Sequence, residues 1–83
     1  MEYTLSEHAD ITIRERKIDR EWIERALTSP GRTAPDRDDP TATHVMIVIP
    51  ENGNRVLRVI YNHTKNPIHL ITVYFDRTQK GKL

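Results

Sequence analysis

Cysteine is absent from this chain of 83 residues, which excludes a disulfide framework, a zinc-thiolate centre and a cysteine nucleophile. Glycine is scarce, with three residues, and none of them belongs to a glycine-rich phosphate loop. Ser6 and Ser29 do not stand in a nucleophile elbow and read as helix-boundary residues. Long apolar runs are missing too. The longest, Val45 to Ile49, has five residues against the roughly 20 needed to span a bilayer, so no membrane segment is expected. The start, Met1 to His8, lacks the basic and apolar regions of a signal peptide, and a cytoplasmic protein is expected. A large charge excess is likewise lacking: the net charge is +1, whereas phosphate binders are usually clearly basic.

The composition that is present, 30% charged and 36% hydrophobic residues, suits a soluble globular chain. Its length fits one domain, residues 1–83, with a modest core. The charge is unevenly spread. Residues 1–40 hold seven Lys and Arg against ten Asp and Glu, a net of −3, and residues 41–83 hold six against two, a net of +4. That asymmetry suits either an anionic ligand on the C-terminal half or two layers that neutralise each other.

Two helices are predicted first. Tyr3 to Leu5 reads as an extended lead-in, and Ser6 as the N-cap of a helix running to about Arg16. Leu5, Ala9 and Ile13 form an apolar stripe, with His8, Thr12 and Arg16 as a polar stripe beside it. Lys17 sits at the helix stop. Asp19 caps a second helix whose Trp22, Ile23, Ala26 and Leu27 share one face, and Ser29-Pro30-Gly31 terminates it. Trp22 is expected to be a core anchor rather than a ligand contact. After a polar loop bracketed by Pro35 and Pro40, with a short strand near Arg32, three strands are predicted: His44 to Pro50, Arg55 to Asn62 and Ile68 to Asp76. Asn52-Gly53 supplies a hairpin turn, and Asn62 to Pro67 a longer connection.

Strand alternation places Leu57, Val59 and Tyr61 opposite Val56, Arg58 and Ile60, and Ile71, Val73 and Phe75 opposite Leu70, Thr72 and Tyr74. The more apolar side belongs against the helices, leaving Arg58, Thr72 and Tyr74 on an open face able to receive a polar ligand. The expected fold is α+β: two N-terminal helices packed on an antiparallel sheet of three to four strands. Because Arg58 interrupts an apolar strand, it must face water, a carboxylate or a ligand.

The order and spacing of His8-Ala9, Ile13, Arg16, Ile18, Ala26-Leu27 and Pro30, then Arg58-Val59-Ile60-Tyr61 and Thr72-Val73-Tyr74, resemble the small prokaryotic DUF4258 family. Members similar to this chain often carry Arg where Thr12 stands and Gly where Lys17 stands. The family is in turn similar in layout to RelE/ParE-type toxins. That likeness implies a toxin component acting on RNA, with an antitoxin protein and RNA as partners. The alternatives are a non-enzymatic protein-binding module of the same fold and a toxin-like poison that does not cleave RNA.

If the protein is an enzyme, the implied class is a metal-independent endoribonuclease without a cofactor. Such cleavage needs a base for the 2′-hydroxyl, a donor for the leaving oxygen and cations on the phosphate. His8, Arg58 and Tyr74 are the catalytic candidates, and Arg16, Thr72 and Tyr61 the substrate-binding ones. Four of them have an ordinary structural reading as well: His8 as a ring packed on the sheet, Arg16 as a helix-end cation, Tyr61 and Tyr74 as core or rim aromatics. His44, His63 and His69 show no metal-ligand spacing.

Overall fold

In the computed structural model, which describes residues 1–83, the chain runs β1 (Tyr3–Leu5), α1 (Glu7–Glu15), α2 (Arg20–Thr28), β2 (Arg32–Pro35), β3 (Ala42–Ile49), β4 (Arg55–Asn62) and β5 (Ile68–Phe75). Two 3₁₀ turns, Pro50–Asn52 and Arg77–Gln79, follow β3 and β5. Local chemistry sets the helix ends. The Ser6 Oγ accepts from the Ala9 amide at 3.0 Å, and Asp19 accepts from the Glu21 amide at 2.8 Å. Lys17 takes φ 53°, the left-handed position that stops α1. With nine residues each, these helices are too short to persist alone in water. Packing on the sheet holds them.

That sheet has the order β1-β5-β4-β3-β2, antiparallel except where β1 runs parallel to β5. The expected antiparallel sheet of three to four strands is therefore a five-stranded mixed sheet. Both outer strands are short. Three residues are too few for β1 to show alternation, and its partners Ile68 to Leu70 lie at the far end of the sequence. β2 carries Pro35, which an edge strand tolerates.

Helix α1 packs over β5, and α2 over β4 and β3. Between them Ala9, Ile13, Ile23, Ala26, Leu57, Val59, Leu70 and Val73 form the core. Ile23, Leu57 and Leu70 are fully buried, each contributing about 1.5–3 kcal/mol. The expected alternation of β5 holds only at its C-terminal end. Ile60 pairs with Thr72 but Tyr61 pairs with Leu70, so Ile71 is a bulge. One extra residue reverses the facing upstream, and Leu70 rather than Ile71 enters the core.

The far face of the sheet is not open along its whole length. Met46 and Val56 are buried there because the C-terminal segment folds over it. Arg32 donates to Gln79 Oε1 and to the Lys82 carbonyl, both at 2.9 Å, and a Cβ on Gly31 would sit 3.3 Å from Leu83.

Two carboxylates outside this core make the fold acid-sensitive. Arg25 donates to both Glu51 oxygens at 3.0 and 2.8 Å, holding that carboxyl down at about 2, well below its ordinary 4.5. The bond from His44, then the Asp39 and Asp38 amides, hold Asp36 at about 2 rather than 3.8. Since both values are depressed by folding, their stabilisation is complete above about pH 4.5 and disappears as pH falls through about 2. The melting temperature is expected to drop steadily from pH 5 to pH 2, and Glu51→Gln with Asp36→Asn to flatten that dependence. Equal slopes in parent and variant would refute the assignment.

Candidate functional site

Ser6 determines where α1 meets the sheet. Its amide donates to the Leu70 carbonyl at 2.9 Å and its hydroxyl to the Ile71 carbonyl at 2.7 Å. This clamp sets the polar stripe His8, Thr12 and Arg16 against the C-terminal part of β5, where β1 has already ended. A cleft of about 870 Å³ results. From β5 it is lined by Thr72, Tyr74 and Phe75; the buried Ile18 and half-buried Trp22 also line it, as do the exposed Lys17, Arg55 and Arg77.

His8 Nε2 lies 3.0 Å from Thr72 Oγ1. This contact leaves the ring's other nitrogen available to a ligand. Trp22 meets Phe75 edge-on, with centroids 5.9 Å apart and planes at 73°. The Arg55 guanidinium carbon lies 4.6 Å above the Phe75 ring, a cation–π contact. Electrostatically the cleft is one-sided. Arg16, Lys17, Arg55 and Arg77 face one carboxylate, Glu15, and none of the four forms an ion pair within the chain. Converging cations without internal partners attract an anion.

The six residues expected to form one site are divided. His8, Arg16, Thr72 and Tyr74 line the cleft. Tyr61 packs half-buried against the core, away from it. Arg58 is the cross-strand partner of Tyr74, as alternation implied, but its guanidinium is occupied on the far face. Its Nε is 3.1 Å from Asp76 Oδ2, too poorly aligned for a hydrogen bond, so the contact is an ion pair. Arg58 Nη1 donates to His44 Nδ1 at 3.2 Å, and Nη2 points at the Met46 sulfur at 3.1 Å. His44 therefore carries its proton on Nε2, which donates to Asp36 Oδ1 at 2.7 Å. The carboxylate that Arg58 had to meet is Asp76.

Trp22 departs from expectation in the other direction, since it is half-buried and forms part of the cleft wall as well as flanking the core. Sequence reasoning also missed Lys17, Arg55 and Arg77 as site residues. Arg55 carried a usable signal: it shares its strand face with Leu57 and Val59, where a cation must emerge beyond the helices. No group of three or more His, Asp or Glu side chains is arranged to hold a metal ion.

Comparison with known proteins adds one result: a family model described as domain of unknown function (DUF4258) matches residues 5–75. The chain belongs to the DUF4258 family. No curated protein and no solved structure matches it, so the RelE/ParE likeness has no homologue behind it. The DUF4258 match spans β1 through β5 and thus includes both walls of the cleft, while Arg77 lies just beyond it. No helix in the chain is long and apolar enough to cross a membrane.

Proposed function

We propose that the cleft between α1 and β5 grips the sugar-phosphate backbone of single-stranded RNA. The observation that carries this reading is the convergence of Arg16, Lys17, Arg55 and Arg77, free of ion pairs, around aromatic walls. Cations track phosphates, and Trp22, Tyr74 and Phe75 offer faces or edges to bases. The neutral overall balance of the chain is no obstacle, because the acidic residues lie mostly outside the cleft.

If four cations each meet one phosphate, the logarithm of the association constant falls against the logarithm of salt with a slope of about −3. Fluorescence anisotropy with a labelled RNA octamer checks this. Arg16→Ala combined with Arg55→Ala should halve the slope and weaken binding by about tenfold or more. A salt-independent affinity, or a double variant that binds like the parent, would remove the reading.

A cleavage activity is the narrower form of the same proposal, favoured by His8 standing against Thr72 in a cleft that also holds Arg16 and Tyr74. His8 accepts the 2′-hydroxyl proton, the 2′-oxygen attacks phosphorus, and the 5′-oxygen leaves with a proton from the Tyr74 hydroxyl. Cleavage would leave a 2′,3′-cyclic phosphate and a free 5′-hydroxyl, and a 2′-deoxy substitution at the cut site should abolish it. Intact RNA bound to wild-type protein would instead mark a binder without nuclease activity.

A further inference from the structure

Resting on the RNA reading, we infer that the ligand is an extended strand that continues from the main cleft into a second, smaller one beneath the C-terminal turn, so that binding requires several nucleotides. The second cleft, about 170 Å³, is lined by Val56, Asp76, Lys80 and three residues it shares with the first: Arg55, Phe75 and Arg77. The shared residues make the two spaces neighbours across one ridge.

Size separates their roles. The main cleft lies at the upper end of the roughly 300–1,000 Å³ typical of whole-ligand sites, and the second falls below it. Alone, 170 Å³ is too small for a nucleotide; as a continuation, it accommodates one more backbone group. The ridge suits a strand crossing it, because Arg55 stacked on Phe75 presents a planar cation where a base or phosphate must pass.

Charge extends in the same direction. Arg16 and Lys17 mark one end, Arg55 and Arg77 the ridge, and Lys80 the other end. The carboxylate there, Asp76, does not oppose an incoming phosphate as a free charge would. Its Oδ2 faces Arg58, and its Oδ1 accepts from the Thr78 amide at 3.0 Å and the Thr78 hydroxyl at 2.6 Å. These bonds also cap the turn that carries Arg77 and presents Lys80. Arg58 thus serves the track as a positioning residue, through Asp76.

The test is the affinity of uridine monophosphate, the dinucleotide, the tetranucleotide and the octanucleotide of uridine, measured in one buffer on the full chain. The expected result is an affinity that rises at least tenfold from dinucleotide to octanucleotide. Lys80→Ala should reduce the octanucleotide-to-dinucleotide ratio about threefold, and Lys80→Glu should reduce it further. Lys80 is exposed, so neither substitution opens the core. Equal affinity for dinucleotide and octanucleotide, or a ratio indifferent to both Lys80 variants, would overturn the extended track while leaving RNA binding at the main cleft. Failure of every length to bind would overturn both.

Discussion

Replacing Arg58 by Leu is expected to destabilise the fold by about 3 kcal/mol. The Arg58 and Asp76 side chains are 19% and 11% exposed, so removing the cation strands a nearly buried carboxylate, a change worth about 3–5 kcal/mol when burial is complete. Residual solvent access pulls the value to the lower end. The Arg58 contact with His44 is lost as well, which leaves the His44 ring held by Asp36 alone. A domain of this size has only about 4–12 kcal/mol of total stability, so the loss is a large fraction of it. Urea denaturation should show a lower midpoint with an unchanged slope. Adding Asp76→Asn to Arg58→Leu should recover part of the loss, because the amide retains an acceptor for Thr78 without the stranded charge. If Arg58 instead met a ligand phosphate, as its place among the catalytic candidates implies, the single variant would keep its midpoint and lose RNA affinity. That outcome would return the site to the far face.

Arg58 also shows how far residue patterns carry. Its strand, its face and its pairing with Tyr74 were all legible, because alternation is a local rule. Its partner was not singled out: Asp76 continues the β5 ladder, its amide donating to the Val56 carbonyl at 2.8 Å, and lies two residues beyond Tyr74 on the same face, but alternation alone does not choose between that carboxylate, water and a ligand. The same division runs through the fold. Caps at Ser6 and Asp19 act within three residues, and both were readable. The β1–β5 pairing joins residues 65 positions apart, and no local signal marks it. The bulge at Ile71 was hidden because Leu70 and Ile71 are equally apolar, so composition could not say which one turns inward. In the cleft, the stripe His8, Thr12 and Arg16 was visible from helical periodicity. Arg55 opens β4 and Arg77 follows β5, so the antiparallel pairing sets them at the same end of the strand pair, and only the tertiary arrangement brings that end up to the helical stripe.

Truncating Trp22 to Ala is expected to affect both stability and binding. Trp22 packs edge-on against Phe75 and flanks the core, so the truncation should cost about 3 kcal/mol, the low end for a large aromatic because one side already faces the cleft. Trp22→Phe keeps a ring at that position and should lose less than half as much. Binding separates the two roles of the side chain. If a base stacks in the cleft, loss of the indole should weaken RNA affinity by about 1–3 kcal/mol, or roughly 5- to 150-fold, under conditions where the variant remains folded. Trp22 is the single tryptophan of the chain, which makes the wild-type protein its own reporter. Titration with the uridine octanucleotide should quench its emission along the same isotherm as the anisotropy change. Emission that stays constant while RNA binds would place the bases away from the Trp22 wall and leave Tyr74, at the outer end of β5, as the aromatic contact.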